Sequence, residues 1–189
     1  MPGDVLRCPA MLTARALGSF PTSTSPRGEV SEIEDHVELI DSRDIAAEPA
    51  AVWAVITDLD ATEQMLSGVQ RIERLDDGSG FGVGTCWRET RTMFGREATE
   101  QLQLTAIEPD SSYTVIANSG NTAYTSTLRV EPTADGASRL TMTFAAQPSG
   151  ATTRLLAATI GRIFQGATRK MLQRDLADIA TAAETTRPR

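Results

Sequence analysis

The chain is poor in the residues that most often build metal centres and nucleophilic sites. Its 189 residues include one histidine, His36, and two cysteines, Cys8 and Cys86. Zinc sites built on His and Cys need three or four such ligands, so we expect no metal site. A Ser–His–Asp triad would have to use His36, which stands at the front of the first predicted strand, where a surface position is the expectation.

Long apolar runs and excess positive charge are missing as well. No apolar segment is long enough to cross a bilayer, and the N-terminal region contains no apolar stretch that fits a signal peptide. The net charge of −7 argues against nucleic acid as a partner, because phosphate binding needs a basic face. Cys8 falls in a tail that we expect to be unstructured, so no structural disulfide with Cys86 is predicted. That absence favours a reducing compartment and a cytoplasmic protein.

The first 34 residues differ from the rest of the chain. They contain four prolines and a polar run, so we predict a disordered extension over residues 1–34. One domain is predicted over residues 35–186, a length that suffices for a real core. The sequence leaves open whether this domain is a monomer or a homodimer.

A long amphipathic helix is predicted from Thr152 to Glu184. Apolar residues recur there at steps of three and four, which places them on one stripe: Leu156, Ile160, Ile163, Ala167, Met171, Leu172, Leu176 and Ile179. At 1.5 Å per residue, such a helix is roughly 45–50 Å long. It needs a broad apolar surface to cover it, and the preceding segment is expected to be a sheet.

Alternating apolar and polar residues predict seven strands between Val37 and Ala146. Short turns separate the last six, which favours an antiparallel meander. Two short helices are predicted after the first strand, the first beginning near Pro49, a residue suited to a first helical position. The predicted class is α+β, with a curved sheet around the C-terminal helix.

Several residues within this order are similar to those of a known superfamily. The stretches AAEPAAVWAVITDLD and GVGTCWRET, with the final LQRDLADIA, resemble the START-like (SRPBCC) superfamily, most closely its bacterial polyketide cyclase/dehydrase and lipid-transport branch. The resemblance implies a helix-grip fold with an internal cavity. Many relatives carry a tryptophan shortly after the Asp58 position; this chain has Ala61 to Met65 there, which predicts a wider or more flexible cavity mouth.

The glycines between Gly78 and Gly84 do not form a nucleotide-binding loop. Their spacing differs from G-x-G-x-x-G, and they lead into a strand instead of a helix. We interpret them as a turn and a bulge, and no cofactor is predicted.

Charged residues on the two strands of the predicted hairpin at Gly95 are the most informative candidates. Arg91 would lie opposite or diagonal to Glu100, on the face that carries Trp87. If that face is concave, the charges orient a polar group of a ligand or polarise a carbonyl. In the alternative, the faces are exchanged or the charges form an ordinary pair at the wet rim.

Fourteen residues are predicted to line a ligand cavity: Trp87, Glu89, Arg91, Met93, Glu100, Leu102, Leu104, Tyr124, Ser126, Met142, Phe144, Ile160, Phe164 and Ala167. The predicted function is binding of a small hydrophobic molecule, such as a lipid, a polyketide or an aromatic compound. The alternative is a cyclase or dehydratase that uses the polar cavity residues. No nucleophile–base pair is readable, so the sequence does not decide whether turnover occurs, and it assigns no catalytic residue.

Overall fold

A computed structural model describes residues 37–93, 95–119, 122–148 and 151–185, and gives only the backbone for residues 37, 93, 119, 148 and 151–164. The predicted extension over residues 1–34 lies outside this range. The helix-grip fold expected from the resemblance is confirmed.

The sheet has seven antiparallel strands in the order β1-β7-β6-β5-β4-β3-β2. Neighbours in the chain are neighbours in the sheet from β2 to β7, as short connections require. The first strand closes the row by pairing with the last one. The strands are β1 Val37–Ile45, β2 Val69–Arg74, β3 Cys86–Met93, β4 Arg96–Glu108, β5 Ser112–Ser119, β6 Thr122–Pro132 and β7 Ser138–Pro148.

Register shifts mark two places where the strands bend. One lies between Val69 and Arg71 where β2 pairs with β3, and the other lies between Leu104 and Ala106 where β4 pairs with β5. An extra residue on one strand bends it and increases the local twist. The curved sheet thereby gains a concave face on which helices and a cavity can lie.

The helices are α1 Pro49–Ile56, α2 Thr62–Met65 and α3 Ala151–Thr185. Pro49 occupies a first helical position of α1, where its missing N–H costs nothing. Helix α3 begins and ends within one residue of the prediction from hydrophobic spacing. Over its C-terminal half, Leu172, Leu176 and Ile179 are buried against β1, β6, β7 and α1.

A second, smaller core lies under the other end of the sheet. It contains Leu59, Trp87, Leu104 and Val115. Tyr113 packs against both clusters, so it stands at the junction between them. The space beside this junction is not filled by core side chains, and it is where the cavity lies.

Cys86 departs from the prediction. It is buried and disulfide-bonded. The expectation that Cys86 forms no disulfide is therefore wrong, and the inference of a reducing compartment loses its basis. Within the described part of the chain, no helix is both long enough and apolar enough to span a membrane.

Candidate functional site

A cavity of about 180 Å³ lies between the concave face of the sheet and the three helices. Strands β3 to β7 form its floor, and α1, α2 and the C-terminal half of α3 form its roof. Its wall is mostly aliphatic and aromatic, and the residues that contribute to it are Ile56, Leu59, Thr62, Met65, Leu66, Phe81, Trp87, Glu89, Arg91, Glu100, Leu102, Tyr113, Val115, Ile116, Ala117, Tyr124, Ser126, Leu128, Met142, Phe144, Met171, Leu172 and Ile179.

Nine of the fourteen residues predicted to line a cavity lie in this wall: Trp87, Glu89, Arg91, Glu100, Leu102, Tyr124, Ser126, Met142 and Phe144. Leu104 does not; it is completely buried in the smaller core. Ala167 is half-buried outside the wall. The side chains of Met93, Ile160 and Phe164 lie outside the described residues. A role of any of these residues in ligand binding stays a prediction.

The charged residues of β3 form a compact cluster with one residue of α3. Arg91 Nε lies 2.7 Å from Glu89 Oε1, and Arg91 Nη1 and Nη2 each donate to Asp175 Oδ2 at 3.1 Å. The contact with Glu89 is an ion pair in which the Nε–H is poorly aligned for a hydrogen bond. Asp175 is only 4% exposed. One guanidinium therefore serves two carboxylates and ties strand β3 to helix α3.

The cluster differs from the pair that the sequence predicts. In the strand register, Glu89 lies directly across from Glu100, and Arg91 lies across from Ala98. Glu100 is consequently diagonal to Arg91 and lines the same cavity. The concave orientation of these charges matches the first of the two alternatives considered above, but the ion-pair partners shown for Arg91 are Glu89 and Asp175.

Burial and the oppositely charged partner shift the pKa of Asp175, and likewise that of Arg91, in opposite directions. Loss of hydration raises the pKa of the Asp175 carboxyl more than Arg91 lowers it, so this pKa lies above its ordinary value. For Arg91, loss of hydration lowers the pKa, but the charges of Glu89 and Asp175 raise it by more. The pKa of Arg91 therefore lies above its ordinary value. Burial, followed by the charge of Glu89, raises the pKa of Tyr113. The tyrosine is thus a neutral hydroxyl at any physiological pH.

Aromatic rings form the wall next to this cluster. Phe81 packs edge-on against Tyr113, with ring centroids 5.0 Å apart, and it lies 6.4 Å from Trp87. Tyr113 also meets Trp53 edge-on at 6.3 Å. Trp53 is half-buried and packs against the main core. The cavity thus combines aromatic surface with charged side chains on strands β3 and β4.

Asp175 and Phe81 are the main site residues that the sequence analysis missed. Asp175 had a readable signal, because it interrupts the apolar stripe of α3 between Leu172 and Ile179, at a step of three or four from each. A carboxylate at a core position of a helix needs a buried partner. Phe81 had no such signal in the sequence. It lies in the loop between β2 and β3, where hydrophobic spacing does not indicate which residues are buried.

Residues 36–184 match the polyketide cyclase / dehydrase and lipid transport family. The match spans most of the sequence, so the chain belongs to this family. No curated protein matches the chain significantly. Among the described residues, no group of three or more His, Cys, Asp or Glu side chains is placed to hold a metal ion.

Solved structures share the fold at low sequence identity. Protein TTHA0849 from Thermus thermophilus is 15% identical, with a TM-score of 0.67 over 80% of this chain and 100% of that one. The Zhui aromatase/cyclase from a Streptomyces species is 14% identical, with a TM-score of 0.66 over 79% and 94% of the two chains. Norcoclaurine synthase from Thalictrum flavum is 12% identical, with a TM-score of 0.63 over 90% and 100%.

Proposed function

We propose that the protein binds a small, largely apolar molecule in the cavity between the sheet and helix α3. The observation that carries this proposal is the wall itself, in which aromatic and aliphatic side chains surround a few polar groups on neighbouring strands. Small-molecule sites in proteins have this composition, because burial of apolar surface provides affinity while a few polar groups fix orientation.

The size of the cavity limits what it encloses. Its volume of about 180 Å³ is comparable to that of an apolar cavity of about 150 Å³ that binds benzene in another protein. The enclosed part of a ligand is therefore close in size to one aromatic ring, and a larger molecule would extend towards the cavity mouth. An aromatic or polyketide-derived compound fits this description better than a lipid with two long acyl chains.

The relatives support an occupied cavity. One is an aromatase/cyclase, and the norcoclaurine synthase structure contains dopamine and hydroxybenzaldehyde. The two aromatic compounds in the norcoclaurine synthase structure are consistent with an aromatic ligand here, although a shared fold does not by itself transfer function.

Occupation of the cavity is tested by filling it. Ala117 lines the cavity and is buried, so Ala117→Phe places a ring in the space that the ligand would occupy. Ala106 is an exposed strand residue, and Ala106→Phe is the matched control. We expect the neutral fluorescent probe N-phenyl-1-naphthylamine to bind the wild type and the control and to lose affinity for Ala117→Phe. Ser126→Phe, at a half-buried wall position, repeats the test if Ala117→Phe folds poorly.

Native mass spectrometry of protein from its own host complements this titration. A co-purifying mass that disappears in the filled-cavity variant would identify the ligand directly. Equal probe binding by the wild type and both filled variants would contradict the proposal, because the probe would then bind elsewhere.

A cyclase or dehydratase activity is the second candidate. The observation that favours it is that Glu89, Arg91, Glu100 and Tyr124 all line the apolar cavity, where general acid–base groups would meet a substrate. For a binding protein, Glu89→Gln should change ligand preference only; for an enzyme, it should abolish turnover of a poly-β-ketone substrate while folding persists.

The cytoplasmic location stays a prediction without a supporting observation.

A further inference from the structure

One oxygen of Glu89 has spare capacity to accept a hydrogen bond at the cavity. Its Oε1 lies 2.7 Å from Arg91 Nε, whereas the contact shown for Oε2 is Trp87 Nε1 at 3.5 Å. A distance of 3.5 Å is at the long limit for such a bond. A carboxylate oxygen can accept two good hydrogen bonds, so Oε2 has room for a stronger donor.

Arg91 is a poor anchor for an anionic ligand, although it lines the cavity. Its Nε edge faces Glu89, and its two terminal nitrogens both donate to the same oxygen of Asp175. Two carboxylates therefore share one positive charge, and when both are ionised the three residues together carry a net negative charge. The other oxygen of Asp175, Oδ1, is buried and has no hydrogen-bond partner.

We propose that the cavity selects apolar ring compounds that carry a hydroxyl or ammonium donor, and that it disfavours the same ring compounds when they carry a carboxylate. This inference rests on the proposed binding function and adds the chemical class of the ligand. Glu89 Oε2 is the acceptor that receives the donor, and the Glu89–Arg91–Asp175 cluster provides the negative field that excludes the anion.

Two physical effects favour a donor-bearing ligand over a carboxylate in this cavity. A hydrogen bond from a hydroxyl or ammonium group to an ionised carboxylate is stronger than one between neutral groups. A ligand carboxylate brings no donor and adds another negative charge to a site of reduced dielectric. One uncompensated like charge at a few ångströms, with an effective dielectric constant near 20, corresponds to an affinity difference of about tenfold or more.

The test compares four ligands that share one ring system: naphthalene, 2-naphthol, 2-naphthylmethylamine and 2-naphthoate. Affinities are measured at pH 7 by isothermal titration calorimetry with the full-length protein. We expect the naphthol or the amine to bind at least about tenfold more tightly than the naphthoate. The arm that binds more tightly shows whether a neutral hydroxyl or a cation is preferred, and a clear preference for either donor over the naphthoate supports the inference.

Glu89→Gln removes the charge at the cavity wall with little change in shape. We expect it to reduce the preference for donors over the naphthoate to about threefold or less, since the electrostatic difference depends on this charge. Glu97→Gln is the matched control, because Glu97 is exposed and on the opposite face of the adjacent strand. If Glu89→Gln does not fold, Asp175→Asn tests the same field from behind Arg91 and should shift the preference in the same direction.

Failure of this inference is distinguishable from failure of the proposed function. If naphthalene binds and the naphthoate binds as tightly as the naphthol, the cavity is a binding site and the donor preference is refuted. An unchanged preference in both charge variants also refutes it. If none of the four compounds binds, the proposed function itself fails, and the inference fails with it.

Discussion

Loss of Arg91 should destabilise the protein far more than loss of Asp175, although the two side chains are partners. Arg91→Met leaves Glu89 and Asp175 without the guanidinium that serves both of them. Removing one member of a buried ion pair typically costs about 3–5 kcal/mol, because a charge is left uncompensated. Asp175→Asn leaves Arg91 paired with Glu89, so no charge is left uncompensated and the expected cost is below about 1 kcal/mol.

Denaturation by urea at pH 7, with matched m-values, measures both changes. The double variant Arg91→Met/Asp175→Asn should be more stable than Arg91→Met alone, since one of the two carboxylates left without a partner is then replaced by a neutral amide. Arg139→Met is the control, because Arg139 forms an exposed cross-strand pair with Asp44 and should matter much less. An equal loss for Arg91→Met and Asp175→Asn would refute the idea that one guanidinium serves two carboxylates.

The pH dependence of folding stability gives an independent test of the buried state of Asp175. Burial raises the pKa of Asp175 above its ordinary value of 3.8. Between pH 3.8 and the folded-state pKa, the folded state therefore binds more protons than the unfolded state. Stability contributed by this group is therefore greatest below pH 3.8 and is lost as the pH rises through the folded-state pKa. Asp175→Asn removes this loss, so the variant should gain stability relative to the wild type as the pH rises. A constant difference between the two proteins across this range would contradict the assignment.

Two further predictions concern packing and backbone conformation, and urea denaturation measures both. Trp53→Ala should cost about 2–4 kcal/mol, because Trp53 packs against the main core and meets Tyr113 edge-on; a loss below about 1 kcal/mol would mean that the helix face is misassigned. Gly84→Ala should cost about 1–3 kcal/mol, since Gly84 has a φ of 97°. Gly82→Ala is its control, with open space around an added Cβ, and should be nearly neutral; equal effects would contradict the strain argument.

The sheet and the long helix were predictable because both depend on periodic burial. Strand parity placed Trp87, Glu89 and Arg91 on one face, and the register in the structure depends on that same alternation. The hairpin at Gly95 determined which residues lie near one another on β3 and β4. The ion-pair partners were not predictable, since alternation does not indicate which residue of α3 meets β3. That depends on how the helix crosses the sheet.

The position of Asp175 shows where periodicity alone was insufficient. Its neighbours in space along α3, Leu172 and Ile179, are buried as the stripe predicts, and an apolar residue at position 175 would have continued the stripe at no electrostatic cost. The chain instead carries a buried carboxylate with one oxygen that lacks a hydrogen-bond partner. A local feature that opposes stability is expected where a site needs it. Here the carboxylate holds Arg91 against helix α3, and Glu89, which shares that guanidinium, faces the cavity with an oxygen that can still accept a hydrogen bond.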